Sequence, residues 1–83
     1  MRTIVDRAAD FVLAVERVFG SPPRVLDGSR AVLVGDVKLS LEARERELCV
    51  IRMHGALEEW LAVFEVRGDI EVALLEAKEF LRG

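Results

Sequence analysis

Amide and phenol side chains are missing from this sequence, and thiol and imidazole groups are scarce. The 83 residues contain no Asn, Gln or Tyr, one cysteine (Cys49) and one histidine (His54). A single cysteine cannot close an intrachain disulfide, which argues against a secreted, disulfide-stapled scaffold. One Cys and one His are too few for a zinc site within one chain, and no phosphate-binding or dinucleotide-binding glycine motif is present. We therefore predict no metal site and no cofactor, and the composition leans against an enzyme.

The sequence also has no surplus of positive charge and no long apolar run. The formal net charge is −3, whereas nucleic-acid binding generally needs Lys and Arg in excess. No apolar run approaches the roughly 18–20 residues that would span a membrane. The first apolar stretch carries Asp6, Arg7 and Asp10, unlike the core of a signal peptide. We expect a cytoplasmic protein that does not enter a membrane, and the charge argues against general binding to nucleic acid.

What the sequence does have in abundance is apolar and charged residues, which make up 52% and 33% of the chain. Abundant charge without any Asn or Gln suits a thermophile. A GC-rich genome would equally favour the ten Arg over the two Lys of this chain. A chain this short forms one domain, residues 1–83, that buries only roughly 60–65% of its unfolded surface. The apolar surplus therefore predicts burial against a partner.

Hydrophobic periodicity predicts a helix at each end of the chain. The first covers about residues 3–19, with Thr3 as its N-cap and Gly20 followed by two prolines at its end. The last begins after Asp69, which we expect to cap it, and runs through residue 82.

Between the helices, turn residues and alternating apolar positions predict strands. Strands are expected over 31–34, 37–43 and 47–53, with turns at Asp27-Gly28, Gly35-Asp36 and 44–46. Residues 57–66 fit either a helix or a strand, and their aromatic and β-branched content favours a strand. The predicted fold class is α+β: an N-terminal helix, an antiparallel meander of three to five strands and a C-terminal helix.

The hairpin at 37–53 is apolar on both faces. A two-residue turn places Leu41 opposite Leu48; a three-residue turn places it opposite Cys49 and gives the cleaner core, so we prefer the second register. In either case a second apolar set lies on the other face, which must also be covered. Two arrangements satisfy this pattern: one helix covers each face, or both helices cover one face and leave the other to a second copy of the chain.

The apolar surplus favours a homodimer, for which a two-fold arrangement is the commonest. Helix one has a narrow polar face, so it too is a possible contact surface. The interface candidates from these arguments are Leu48, Val50, Arg52, Trp60 and Phe11.

Residues that could bind a small ligand are few. His54, Arg44 and Arg46 are weak candidates, because acidic residues interleave with the arginines and favour solvated cross-strand ion pairs. Cys49 and His54 lie five residues apart, on opposite faces of a regular strand, and cannot act together as nucleophile and base. We assign no catalytic residue.

The function most consistent with these features is a non-catalytic protein-interaction module that self-associates. A second hypothesis is an RNA-associated protein, since helix, three strands and helix is also the element order of double-stranded RNA-binding domains; the last helix, however, begins with acidic rather than basic residues. A third is a ligand sensor or an enzyme with a pocket between subunits.

Overall fold

The structure, a computed structural model, describes residues 4–26, 30–44 and 49–83, with side chains described from Ala9 onward. In chain order the elements are α1 (Ile4–Phe19), β1 (Arg24–Leu26), β2 (Ala31–Val34), β3 (Val37–Ala43), β4 (Cys49–His54), β5 (Trp60–Val66) and α2 (Ile70–Arg82). The five strands form one antiparallel sheet in the order β1-β2-β3-β4-β5. The predicted α+β class, with a meander between two terminal helices, is confirmed.

The helix ends follow from local chemistry. Gly20 adopts φ +82°, and its N–H donates to the carbonyl of Glu16 at 2.9 Å. Glycine reaches this left-handed conformation without steric cost, and Pro22 and Pro23 cannot continue a helix. At the start of α2, the Asp69 side chain accepts a hydrogen bond from the backbone N–H of Glu71 at 2.9 Å, as predicted. The expected cap Thr3 lies outside the described residues.

Residues 57–66 were ambiguous in the sequence, and the structure decides for a strand from Trp60 onward. The hairpin turn at Gly35-Asp36 is also present, with Gly35 at φ +60°. The predicted turns at Asp27-Gly28 and Arg44-Glu45-Arg46 lie partly or wholly outside the described residues.

The preferred register of the β3–β4 hairpin is wrong by two residues. Leu41 lies opposite Ile51 and Leu39 opposite Met53, whereas the three-residue turn placed Leu41 opposite Cys49. The physical reason is a longer connection: Ala43 pairs with Cys49, so residues 44–48 link the strands. A shift of two residues preserves the face of every side chain, because strand side chains alternate with period two.

Both helices cover the same face of the sheet. The hydrophobic core combines residues of both helices with strand residues that share one face of the sheet. The helices contribute Phe11, Ala14 and Val15 of α1 and Ile70, Ala73, Leu74 and Ala77 of α2. The strands contribute Val32, Leu39, Leu41, Cys49, Ile51, Met53 and Val66. We call this the helix-side face. Of the two arrangements open at the sequence level, the structure has the one that leaves the opposite face without a helix.

Polar contacts fasten the two helices to each other. The Arg17 Nε donates to Glu71 Oε1, and the Lys78 ammonium donates to the Val18 carbonyl at 3.0 Å, although these residues are 60 positions apart. These contacts hold α1 and α2 side by side on the helix-side face. Neither of the two helices therefore covers the opposite face of the sheet.

Candidate functional site

The sheet surface opposite the helices, which we call the outer face, is mainly polar at its centre. Pairing places Lys38, Ser40 and Glu42 of β3 beside His54, Arg52 and Val50 of β4, in that order. Only one of these six side chains is apolar. The expectation that this face needs a second copy of the chain to cover it is therefore weakened.

Val50 is the apolar exception on the outer face, and its own chain already shields it. The residue is 2% exposed and lies directly between Glu42 on β3 and Glu65 on β5. The aliphatic parts of these two side chains can cover a valine while their carboxylates remain in water. Val50 is thus not available to a partner, and its neighbour among the interface candidates, Leu48, lies outside the described residues.

Arg52 forms the cross-strand ion pair that the interleaved charges predicted. Its Nε lies 2.8 Å from Glu42 Oε2, with side chains 38% and 43% exposed. The angle is poor, and Nε has no hydrogen-bond partner by geometry, so the contact is electrostatic rather than a well-formed hydrogen bond. A pair this exposed contributes little to stability.

His54 ends β4 on the outer face, opposite Lys38 on one side and Trp60 on the other. Its Nδ1 is buried without a hydrogen-bond partner among the described residues. Cys49 is buried on the helix-side face at the other end of β4. Cys49 and His54 therefore lie on opposite faces and at opposite ends of β4, and they cannot act together as nucleophile and base. Of the arginine candidates, Arg44 is exposed just after β3, and Arg46 lies outside the described residues.

The structure separates the two aromatic interface candidates. Phe11 is 0% exposed and sits in the core, so its selection as a surface residue was wrong: the apolar stripe of α1 faces the sheet and α2. Trp60, in contrast, is 62% exposed at the start of β5. An exposed tryptophan is a common anchor of protein interfaces.

The most unusual surface is the free edge of β5 together with the adjoining side of α2. β5 is the last strand of the sheet and pairs with β4 alone among the described strands. Phe80 of α2 lies over it, with its ring edge-on to Phe64 at a centroid distance of 6.1 Å. A groove of about 330 Å³ runs between strand and helix; its lining residues are Val63, Phe64, Glu65, Arg67, Val72, Ala73 and Glu76. We call this region the β5–α2 surface, and define it by β5, Val72 and Phe80.

The opposite edge of the sheet does not share these properties. β1 has three residues and begins immediately after Pro22-Pro23, with a charged residue, Arg24, at its first position. Short strands, prolines and charges are the usual means of preventing edge-to-edge association. β5 has seven residues and no proline, and only Glu65 in it is charged; a β-bulge interrupts its pairing with β4 near its start, between Met53 and His54.

No three His, Cys, Asp or Glu side chains among the described residues are grouped so as to hold a metal ion. No helix in the described parts of the chain is long and apolar enough to cross a membrane. What the site can do is present backbone N–H and C=O groups in a row beside apolar side chains.

Sequence reasoning found Trp60 but missed the surface to which it belongs. The available signal was topological: in a meander with short connections, the last strand is necessarily an edge. Val72 and Phe80 are ordinary members of an amphipathic helix in the sequence, and only the packing of α2 against β5 shows them half-exposed beside the edge.

Comparison of the chain with protein-family models, curated proteins and solved structures found no match. The functional argument therefore depends on the geometry of the chain itself.

Proposed function

We propose that this protein is a non-catalytic interaction module that self-associates through the β5–α2 surface. One observation carries the proposal: large apolar side chains are exposed at the free edge of β5 and on the adjoining side of α2. Trp60 is 62% exposed, Val72 52% and Phe80 49%. Apolar patches of this kind on a soluble chain are typical of contact sites, and a long exposed edge strand is a template for pairing.

A second copy of the chain is the partner that this surface fits best. The β1 edge is blunted, so pairing of β5 with β1 of another copy is disfavoured, and such head-to-tail contacts would propagate into filaments unless a ring closed. Pairing of β5 with the same strand of a second copy uses one surface twice and closes after two subunits. The composition favours a cytoplasmic protein from a thermophile. Oligomerisation is one of the means by which thermophile proteins are stabilised, so a small oligomer formed through this contact is compatible with the composition.

The test is the molar mass in solution, measured by light scattering during size-exclusion chromatography. We expect the wild type to have the mass of a dimer at tens of micromolar. Val72→Glu, which places a charge beside the groove, should shift the mass towards the monomer while the circular dichroism spectrum stays unchanged.

Leu75→Glu is a matched control for that variant. Leu75 is also on α2 and is also 52% exposed, but it does not line the groove. We expect it to remain dimeric. A monomeric wild type, or equal loss of the dimer in both variants, would contradict the proposal. Binding of structured RNA by a monomer would favour the RNA-associated hypothesis, and a small ligand that copurifies with an oligomer would favour a pocket between subunits.

A further inference from the structure

We propose that the outer face of the sheet binds single-stranded nucleic acid, with a base stacked on Trp60 and a phosphate held by Lys38. This activity does not depend on self-association, because the residues that carry it lie on the face opposite the helices. The net charge of −3 provides no general attraction to polyanions. The contacts must therefore come from the placement of side chains on this one face.

A single row of outer-face side chains crosses all five strands and contains no acidic residue. Cross-strand pairing connects its members in the order Arg24, Leu33, Lys38, His54 and Trp60. We call it the basic row. Neighbouring strands lie about 4.8 Å apart, so the row spans roughly 19 Å. Its two end residues are exposed and the three between them are partly exposed, so a ligand can reach it along its whole length.

A β-bulge brings Trp60 into the basic row. Met53 pairs with Ala62, so unbroken pairing would set Leu61 opposite His54; the bulge sets Trp60 there instead. Bulges are common beside functional sites, where they re-aim a side chain. Because strand side chains alternate between faces, regular pairing would have put this tryptophan on the helix-side face. The bulge keeps it on the outer face, where it is 62% exposed.

The rings in the basic row are of the kind that stacks on nucleic-acid bases. Proteins that bind single strands without sequence preference place successive bases on aromatic side chains, because every base has a flat face. His54 lies next to Trp60 on the neighbouring strand, and histidine is also used as a stacking ring. The two side chains therefore offer adjacent platforms for unpaired bases.

The charges of the outer face are sorted by position along the strands. Lys38 lies in the basic row and Arg52 in the next row, whereas the carboxylates Glu42 and Glu65 lie in the third, on either side of Val50. Arg52 already forms an ion pair with Glu42. Lys38 has no ion pair within the described part of the chain, so its ammonium is the cation available to a phosphate.

Exposed carboxylates at the turns limit the strength of this attraction. Asp36 lies in the β2–β3 turn, and Glu58 and Glu59 precede Trp60. They offset the long-range field of the basic side chains, so stacking and one or two short phosphate contacts must supply most of the affinity. Each phosphate contact to a single strand adds about 0.7 to the slope of log K against log salt concentration. We therefore expect a shallow slope.

Fluorescence anisotropy of a labelled oligouridylate of about ten nucleotides tests the stacking contact. Trp60→Ala should weaken binding by about five- to a hundredfold, because one base loses its platform. Trp60→Phe keeps a ring and should recover most of the affinity. The matched control is Leu57→Ala, which removes a more exposed apolar side chain, 87% exposed, from the adjoining turn; binding should stay within about twofold of the wild type.

The phosphate contact is tested by charge reversal at two positions. Lys38→Glu should weaken binding and lower the salt slope by about 0.7, as expected for the loss of one phosphate contact. Arg82→Glu makes the same change of charge at the end of α2, away from the outer face, and should leave the slope unchanged.

Three results would overturn the proposal: no binding at low salt, tighter binding to a duplex of the same length, or equal effects of the Lys38 and Arg82 reversals. The duplex is informative because its bases are stacked on each other and cannot reach Trp60. Val72→Glu should bind the oligonucleotide as the wild type does, since Val72 is on α2. Nucleic-acid binding and self-association can therefore fail or succeed separately.

Discussion

At the scale of single residues, Val50 shows how a position can look like an interface in the sequence and be buried in the monomer. It lies between the carboxylates of Glu42 and Glu65 at 2% exposure. Val50→Glu would place a third carboxylate directly between two others and remove a buried apolar side chain. We expect a loss of about 2–3 kcal/mol in the free energy of unfolding by urea.

The control for this variant is Val50→Thr, which keeps the β-branched shape and adds no charge; it should cost less than half as much. Equal stability of Val50→Glu and wild type would mean that Val50 is open to solvent, as an unoccupied interface residue would be.

Ile51 is the neighbouring residue on the helix-side face, and it has the opposite environment. It is fully buried and pairs with Leu41 and Phe64. Ile51→Ala should lower the free energy of unfolding by about 2–5 kcal/mol, through lost burial and a cavity that the sheet cannot close. Leu57→Ala removes an apolar side chain that is 87% exposed, and we expect it to change stability by no more than about 0.5 kcal/mol. Similar losses in both variants would contradict the position of the core.

At the scale of elements, α2 depends on a single side-chain cap. Asp69 accepts the Glu71 N–H at 2.9 Å, and Asp69→Ala leaves that donor without a side-chain partner. The expected cost is about 1 kcal/mol, measured by thermal or urea unfolding, and Asp69→Ser should recover most of it because serine is also a good N-cap. A stability loss that serine does not recover would show that the cap is not the source of the effect.

The elements also show which parts of the fold a sequence of this kind determines. Helix limits and the alternating strand 37–43 were predictable because caps, prolines and periodicity act locally. The β3–β4 register was not, since it depends on whether three or five residues connect the strands, and the charged residues 44–47 suit both. The face of Leu39 and Leu41 was nevertheless correct, because both connections have an odd number of residues.

At the scale of the whole molecule, the meander order was predictable and the placement of the helices was not. A helix on each face and two helices on one face satisfy the same hydrophobic pattern in β4. The structure selects the second through contacts between residues far apart in sequence, such as Lys78 with the Val18 carbonyl. Because the remaining outer face is polar and Val50 is buried in it, the interface that we propose lies on the β5–α2 surface and not at Val50.

If the dimer forms through this surface, folding and association are linked, and stability must depend on protein concentration. A partner that binds only the folded state raises the unfolding temperature by mass action. We expect the Tm of the wild type to rise by several degrees between about 2 and 200 µM, whereas Val72→Glu should show a smaller rise because its folded state is less dimeric. Differential scanning fluorimetry that follows Trp60 would measure this directly, and the same residue would report changes in its exposure at the proposed edge. A Tm independent of concentration in both proteins would place the apolar surface of β5 and α2 outside any self-association, and the exposed tryptophan would then have to be explained by a partner of a different kind.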